Sequence, residues 1–168
     1  MQKTSQTTVR LRLPKNAVDK RAKIYWTIQI LITLLIMFAV LLVPILLLPA
    51  WRPLLMTALV IVLIIGLVSV LVVPRHKFRF HRWEVTSDAV YASSGWLWRE
   101  WRLAPLSRIQ TVDTEHGPLQ QMFGLATVTV TTASAAGPIK IEGLDKVTAA
   151  NLAENLTTLT QATHEDAT

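Results

Sequence analysis

Two charge-free apolar runs decide what this chain can fold into. Ile24 to Ala50 contains no Asp, Glu, Lys or Arg, and neither does Leu54 to Pro74; only Trp51, Arg52 and Pro53 lie between them. A helix crossing the hydrocarbon core needs about 20 apolar residues at roughly 1.5 Å each, so both runs are long enough. A helix on a soluble core carries polar residues at helical spacing on its outer face, and these runs carry almost none. The first is too long for the apolar core of a signal peptide, and no small-residue cleavage pattern follows it. With so short a connection the two helices must be antiparallel neighbours. The pattern predicts a two-helix transmembrane hairpin over 24–74, with spans at 24–48 and 54–73. Pro74 is expected to end the second span, and Pro44 to kink or shorten the first. Gln29, the strong amide within these runs, sits near one end and reaches the interface. Gly66 and Ser69 allow close helix approach.

Charge is distributed unevenly around the spans. The formal net charge is +6. Residues 1–82 hold 12 Lys/Arg and one acid (+11), whereas 83–168 hold 5 Lys/Arg and 10 acids (−5). Seven cations precede the first span in a basic N-terminal segment, 1–23. Arg52 alone occupies the loop, and Arg75, Lys77, Arg79 and Arg82 follow the second span. The positive-inside rule then predicts a multi-pass protein of the cell membrane with both termini cytoplasmic and Trp51 outside. The later cations, interleaved with Phe78, Phe80 and Trp83, read as a flank for anionic headgroups of the bilayer, each worth about 1 kcal/mol. Tyr25 and Trp26 suit the same interfacial layer. A nucleic-acid binder carries its positive charge on the folded domain, the reverse of this pattern, so no nucleic acid is expected. His76 and His81 are five apart and poorly placed to share a metal. The absence of Cys removes disulfides and thiolate sites.

Beyond the flank the pattern becomes strand-like. Before the first span, Val9, Leu11 and Leu13 alternate until Pro14, and a basic helix is expected from about Asn16. From Phe78 onward, strands are expected to be separated by turns at Thr86–Asp88 and Ser93–Gly95. Along the next strand Trp96, Trp98, Glu100 and Arg102 share one face, and Leu97, Arg99, Trp101 and Leu103 share the other. Neither face is purely polar, so both are partly covered or the tryptophans await a partner. A strand is expected over Arg108–Glu115 and a turn over His116–Gly124. Val128 and Val130 then face one way with the threonines opposite, and Ile139 pairs in phase with Ile141. Asp145 is a capping residue for a helix whose stripe is Ala149, Leu152, Leu156 and Leu159. Residues 162–168 are expected to fray. Six or seven antiparallel strands without a crossover helix describe an all-β split barrel or bent antiparallel sheet, capped by a C-terminal α-helix, over 75–161.

Particular residues point further. Trp83, Val85 and Thr86 open the strands, with Gly95 and Trp98 at the next turn. Pro105, Arg108, Ile109 and Gln110 spell PxxRIQ. Gly117, Pro118 and Leu119 precede Phe123, Gly124 and Leu125, and Gly143-Leu144 precedes the last helix. With the hairpin and the approach Arg12–Val18, this order resembles the bacterial membrane-flanked PH-like domain family, the YdbS-like membrane proteins, over about residues 10–160. The resemblance implies a pleckstrin-homology fold in which those motif residues are mainly structural. It also implies small membrane-anchored modules that often accompany a longer relative with several PH-like copies. Links to envelope stress, antimicrobial-peptide tolerance and export come with it. One departure matters. Many eukaryotic PH domains grip phosphoinositides through basic residues in the first turn, and Thr86 to Ala89 has no Lys or Arg.

Catalytic patterns are missing. No GxSxG surrounds Ser93, Ser94 or Ser107, and no Gly-rich loop ends in GK[ST]. Asp113 and Glu115 read as a solvated strand face. The expectation is therefore a non-enzyme without cofactor or metal. Arg108 and Gln110, two apart on a strand, face the same way. Arg108 either forks onto a carboxylate or phosphate, or pairs internally with Asp113, Glu100 or carbonyls near Gly117. The candidate contact residues are Arg108, Gln110, Trp96, Trp98 and Trp101. The expected partner is another membrane protein, such as a larger PH-like relative, or a second copy. Alternatives are a lipid- or peptide-binding sensor and an accessory transporter subunit. The spans lack Asp, Glu, Lys and Arg, which argues against an autonomous pump.

Overall fold

The computed structural model describes residues 14–95, 100–134 and 137–165. Two long helices dominate it: α1 (Arg21–Leu47, 27 residues) and α2 (Arg52–Phe80, 29 residues), joined by a 3-10 turn at Pro49–Trp51. They form the expected hairpin, and both are long and apolar enough to cross a membrane. Their side chains point outward. In α1 the buried residues are Ala22, Tyr25, Trp26 and Ile45; in α2 they are Gly66 and Pro74. Leu47 is 72% exposed, and a surface made of many such residues is one that lipid solvates. Gly66 sits where the Leu34 side chain leaves no room for a Cβ, so this glycine allows the close approach expected of it.

The helix of the second span does not stop at Pro74. The helix carries Pro74 inside it and continues to Phe80, just as α1 carries Pro44. A proline removes one helical hydrogen bond, and the packing of the following turn outweighs that loss here. Lys77 pairs with Glu142, Phe78 packs against the core, and the Arg75 guanidinium donates to the Leu71 carbonyl at 2.6 Å. The strands therefore begin at Arg82 rather than Phe78.

The rest of the chain forms two antiparallel sheets. The first contains β1 (Asn16–Ala17), β2 (Arg82–Val85), β3 (Ala89–Ser94) and β4 (Glu100–Pro105), in that order. The second contains β5 (Ile109–Glu115), β6 (Leu125–Thr132) and β7 (Ile139–Asp145), again in order. A short α3 (Pro118–Met122) sits in the β5–β6 connection, and α4 (Lys146–Glu165) follows β7. This is the split, bent antiparallel architecture with its C-terminal helix. β1 replaces the basic helix expected from Asn16: Asn16 pairs with Trp83 and Ala17 with Arg82, and the Lys15 N–H donates to the Glu84 carboxylate at 3.3 Å.

The core lies between the sheets and α4. Val90, Leu106, Leu125, Val128, Ile141, Leu144 and Leu156 are fully buried. Each such aliphatic side chain contributes roughly 1.5–3 kcal/mol of burial. Asp145 caps α4 as expected, its carboxylate accepting the Val147 N–H at 3.0 Å. Ala149, Leu152 and Leu156 are buried and Leu159 packs beside them. The helix runs to Glu165, past the expected fraying point. On β6 both faces are covered. Thr127 and Thr129 are buried along with Val128 and Val130, because β6 is the central strand of its sheet and Gln120 of α3 lies over Thr127, donating to its hydroxyl at 2.8 Å.

Candidate functional site

The first turns of α1 belong to the head rather than to the lipid. Ala22, Tyr25 and Trp26 are buried in the same core cluster as β6, β7 and α4, and Trp26 is 2% exposed. Tyr25 and Trp26 are thus not the interfacial belt that their position suggested. The Asp19 N–H donates to the Gly143 carbonyl at 2.9 Å. Gly143 has φ +76, and a Cβ there would sit 2.7 Å from the Ala22 Cβ and 3.4 Å from the Trp26 ring. Glycine alone satisfies both the backbone and the close approach. Arg21 ties three segments together. Its guanidinium donates to Asp19 at 3.0 Å, to the Phe123 carbonyl at 3.2 Å and to the Asp145 carboxylate. The Arg21 hydrogen bonds hold the Asp19 carboxyl below the usual carboxylate range.

The end of α2 meets the same spot. Lys77 Nζ lies 2.8 Å from the Glu142 carboxylate and 4.7 Å from the Trp26 ring centroid. Lys23 of α1 stands 4.0 Å over the Phe78 ring, fastening the two helices to each other. His81 follows α2 directly and is buried, with its ring edge-on to Trp26 at 6.0 Å. Its Nε2 accepts the Glu142 N–H at 3.0 Å, which leaves the ring proton on Nδ1. Among the described residues, neither that Nδ1 nor the buried Trp26 Nε1 has a hydrogen-bond partner. Burial pushes His81 down to about 4. Burial raises Glu142, but the Lys77 ammonium, with smaller contributions from His81 and Lys140, outweighs it and the carboxyl ends below its ordinary value. Hairpin and head are therefore joined by packed side chains and paired charges.

The residues singled out in the sequence scatter around this junction. Of the basic flank, Lys77 turns onto the head, Arg75 and Arg79 are exposed, and Arg82 is half-buried on β2. Arg108 is not on a strand. It ends the 3-10 turn Leu106–Arg108, so it does not share a strand face with Gln110, and both are exposed. The PxxR segment turns the corner between the two sheets there, burying Leu106 and Ile109 and leaving Arg108 outside. The internal pairings expected for it are absent among the described residues: Glu100 pairs with Arg102 at 3.1 Å, and Asp113 accepts from the Thr111 hydroxyl at 3.0 Å. Trp101 is 40% exposed on β4, beside Leu103 at 50%. Trp96 and Trp98 lie outside the described residues.

The motif positions fall in the core, at strand ends and at turns. Trp83 and Leu119 pack half-buried against the core, Pro105 ends β4, and Gly95 follows β3. Pro118 opens α3, and the Gly117 N–H donates to Gln120 Oε1 at 3.0 Å. Gly124 takes φ +63 just after α3; Phe123 packs against the core and Leu125 is fully buried. Trp26, His81, Glu142 and Arg21 were not legible as a group. Their contacts join segments more than fifty residues apart, and an aromatic residue at a span end fits a headgroup layer as well as a core. Among the described residues no three of His, Asp and Glu gather as metal ligands.

Comparison with known proteins fits this architecture. The family described as "Bacterial PH domain" matches residues 24–160, which takes in the hairpin as well as the head. The chain is similar to the UPF0699 transmembrane protein YdbS of Bacillus subtilis (strain 168), 30% identical over 101 residues that cover 60% of this chain. The match spans 62% of that relative, less than two thirds of its length. No solved structure matches the chain.

Proposed function

The chain belongs to the bacterial PH domain family, and from that premise we propose that it is a non-enzymatic, membrane-anchored interaction module that assembles with a partner membrane protein along β4. The observation that carries this reading is the state of β4. Among the described residues it ends its sheet, so one row of its backbone groups has no described strand beside it, and it exposes Trp101 and Leu103 next to each other on one face. Free edges are usually blunted by charge, proline or a covering segment, and one bearing large apolar side chains suits strand addition or docking. The head lies on the cytoplasmic side in this reading, supported by seven Lys/Arg before the first span against one in the loop. A larger PH-like membrane protein is the partner favoured, with envelope stress, antimicrobial-peptide tolerance or export as the setting.

Site-specific photo-crosslinking in native membranes tests this. A crosslinker at position 101 is expected to give a discrete product that one at Thr111, exposed on β5, does not give. No product from position 101, or the same products from both positions, counts against the reading. A second reading, a lipid- or peptide-binding sensor, draws on Arg108. It is exposed at the corner between the sheets without an ion pair among the described residues. Loss of a co-purifying ligand in Arg108→Ala supports that reading, and an unchanged ligand content removes it.

A further inference from the structure

A cleft of about 560 Å³ lies between the two sheets. β3 and β4 line one side, β7 the other, and Lys77 and His81 at the end of α2 line it as well. Among the described residues, three cations line it, Lys77, Arg102 and Lys140, against two carboxylates, Glu100 and Glu142. Glu142 is matched to Lys77 at 2.8 Å and Glu100 to Arg102 at 3.1 Å. Lys140, exposed on β7, has no ion pair among the described residues. The described lining therefore holds one surplus positive charge, with two further cations already held in place beside it. His81 adds no charge to that wall near neutral pH.

The depth of the cleft matters as much as its charge. Lys77 stands three residues beyond Pro74, the end of the charge-free run, a rise of about 5 Å along the helix. The headgroup layer on each side of a bilayer is roughly 5–8 Å thick, from the difference between the total and the hydrocarbon thickness. The wall made by α2 thus lies at headgroup level, where phosphate is the abundant anion. We propose that this cleft binds the phosphate of a singly charged anionic ligand, with Lys140 supplying the unmatched charge and Lys77 and Arg102 the flanking donors. The site differs from the Thr86–Asp88 turn, which lies at the far end of β2 from His81, and from the exposed Arg108. It does not depend on a partner docking along β4.

The full-length protein in nonionic detergent is titrated by calorimetry with short-chain phosphatidylglycerol, short-chain phosphatidylcholine and inorganic phosphate. Saturable binding of phosphatidylglycerol over phosphatidylcholine assigns the site to a lipid headgroup; saturable binding of phosphate alone assigns it to a soluble ligand. In either case Lys140→Glu is expected to weaken binding by about tenfold. Arg75→Glu, the same charge change on the exposed flank, is expected to weaken it by less than about threefold. Lys140 is exposed, so its replacement should leave the fold intact, which circular dichroism checks. The proposal is overturned if neither ligand saturates, or if the two variants weaken binding equally, since attraction to the basic flank then accounts for it.

Discussion

The two ends of α1 are built from similar residues and do different work. At its start, Ala22, Tyr25 and Trp26 are packed into the head; from Thr27 to Leu47 only Ile45 is buried. Trp26 is 2% exposed, whereas Trp51 in the turn at the other end of the hairpin is 58% exposed. Hydrophobicity does not separate the two ends, and surroundings do. At the start of the helix the chain supplies the covering surface through Gly143, Lys77 and His81. Elsewhere the bilayer must supply it.

Substitutions along the hairpin test this contrast most strongly. Trp26→Ala is expected to destabilise the head by about 3–5 kcal/mol. Trp51→Ala should change it by less than about 0.5 kcal/mol. Chemical unfolding of the full chain in mild detergent, followed by near-ultraviolet circular dichroism, reads both; equal effects would erase the distinction between the two ends.

Acid should loosen the junction next. His81 titrates near 4 when folded and near 6.5 when unfolded, so between those values the unfolded chain binds the extra proton. Stability then falls as pH drops from about 6.5 towards 4, by about 3 kcal/mol in total. Glu142, also depressed when folded, adds a loss in the same direction as pH falls through its folded value. His81→Gln keeps an acceptor for the Glu142 N–H and should flatten the upper part of that profile. An unchanged profile in this variant assigns the acid sensitivity to other groups.

The smallest of these effects concerns Gly143. Gly143→Ala meets both a left-handed backbone and the Ala22 Cβ, and is expected to cost about 1–3 kcal/mol. Gly117→Ala has an ordinary φ and only a 3.8 Å contact with Gln120, so a change below about 0.5 kcal/mol is expected. Thermal melts of the two variants side by side decide whether the close approach at Gly143 matters.

Which features the sequence revealed follows from the range of the interactions behind them. The hairpin is legible because a bilayer demands a continuous apolar run, and a missing charge is a local signal. The last helix is legible through Asp145 and a stripe at spacings of three and four, and the strands through alternation. Pro74 misleads because its helix is held by Lys77, Phe78 and their partners on the head, all distant in sequence. β1 has two residues and no local signature; its register comes from Trp83 and Arg82. Arg108 misleads because PxxR reads as the start of a strand, while the chain uses it to turn between sheets. Of the candidate site, Trp101 stands out in the sequence, and it is exposed on β4. In the sequence Lys77 belongs to the basic flank and Arg102 to a strand face, and only the folded sheets bring Arg102 and Lys140 beside Lys77.

The proposed layout, a hairpin that crosses the bilayer and returns with the head on the cytoplasmic side, can be tested directly because the chain contains no cysteine. Ala50→Cys places a thiol in the turn between the helices, and Asp113→Cys places one on an exposed strand of the head. A membrane-impermeant maleimide applied to intact cells should label the first and reach the second only after permeabilisation. Labelling of Asp113→Cys in intact cells, with Ala50→Cys protected, would contradict it.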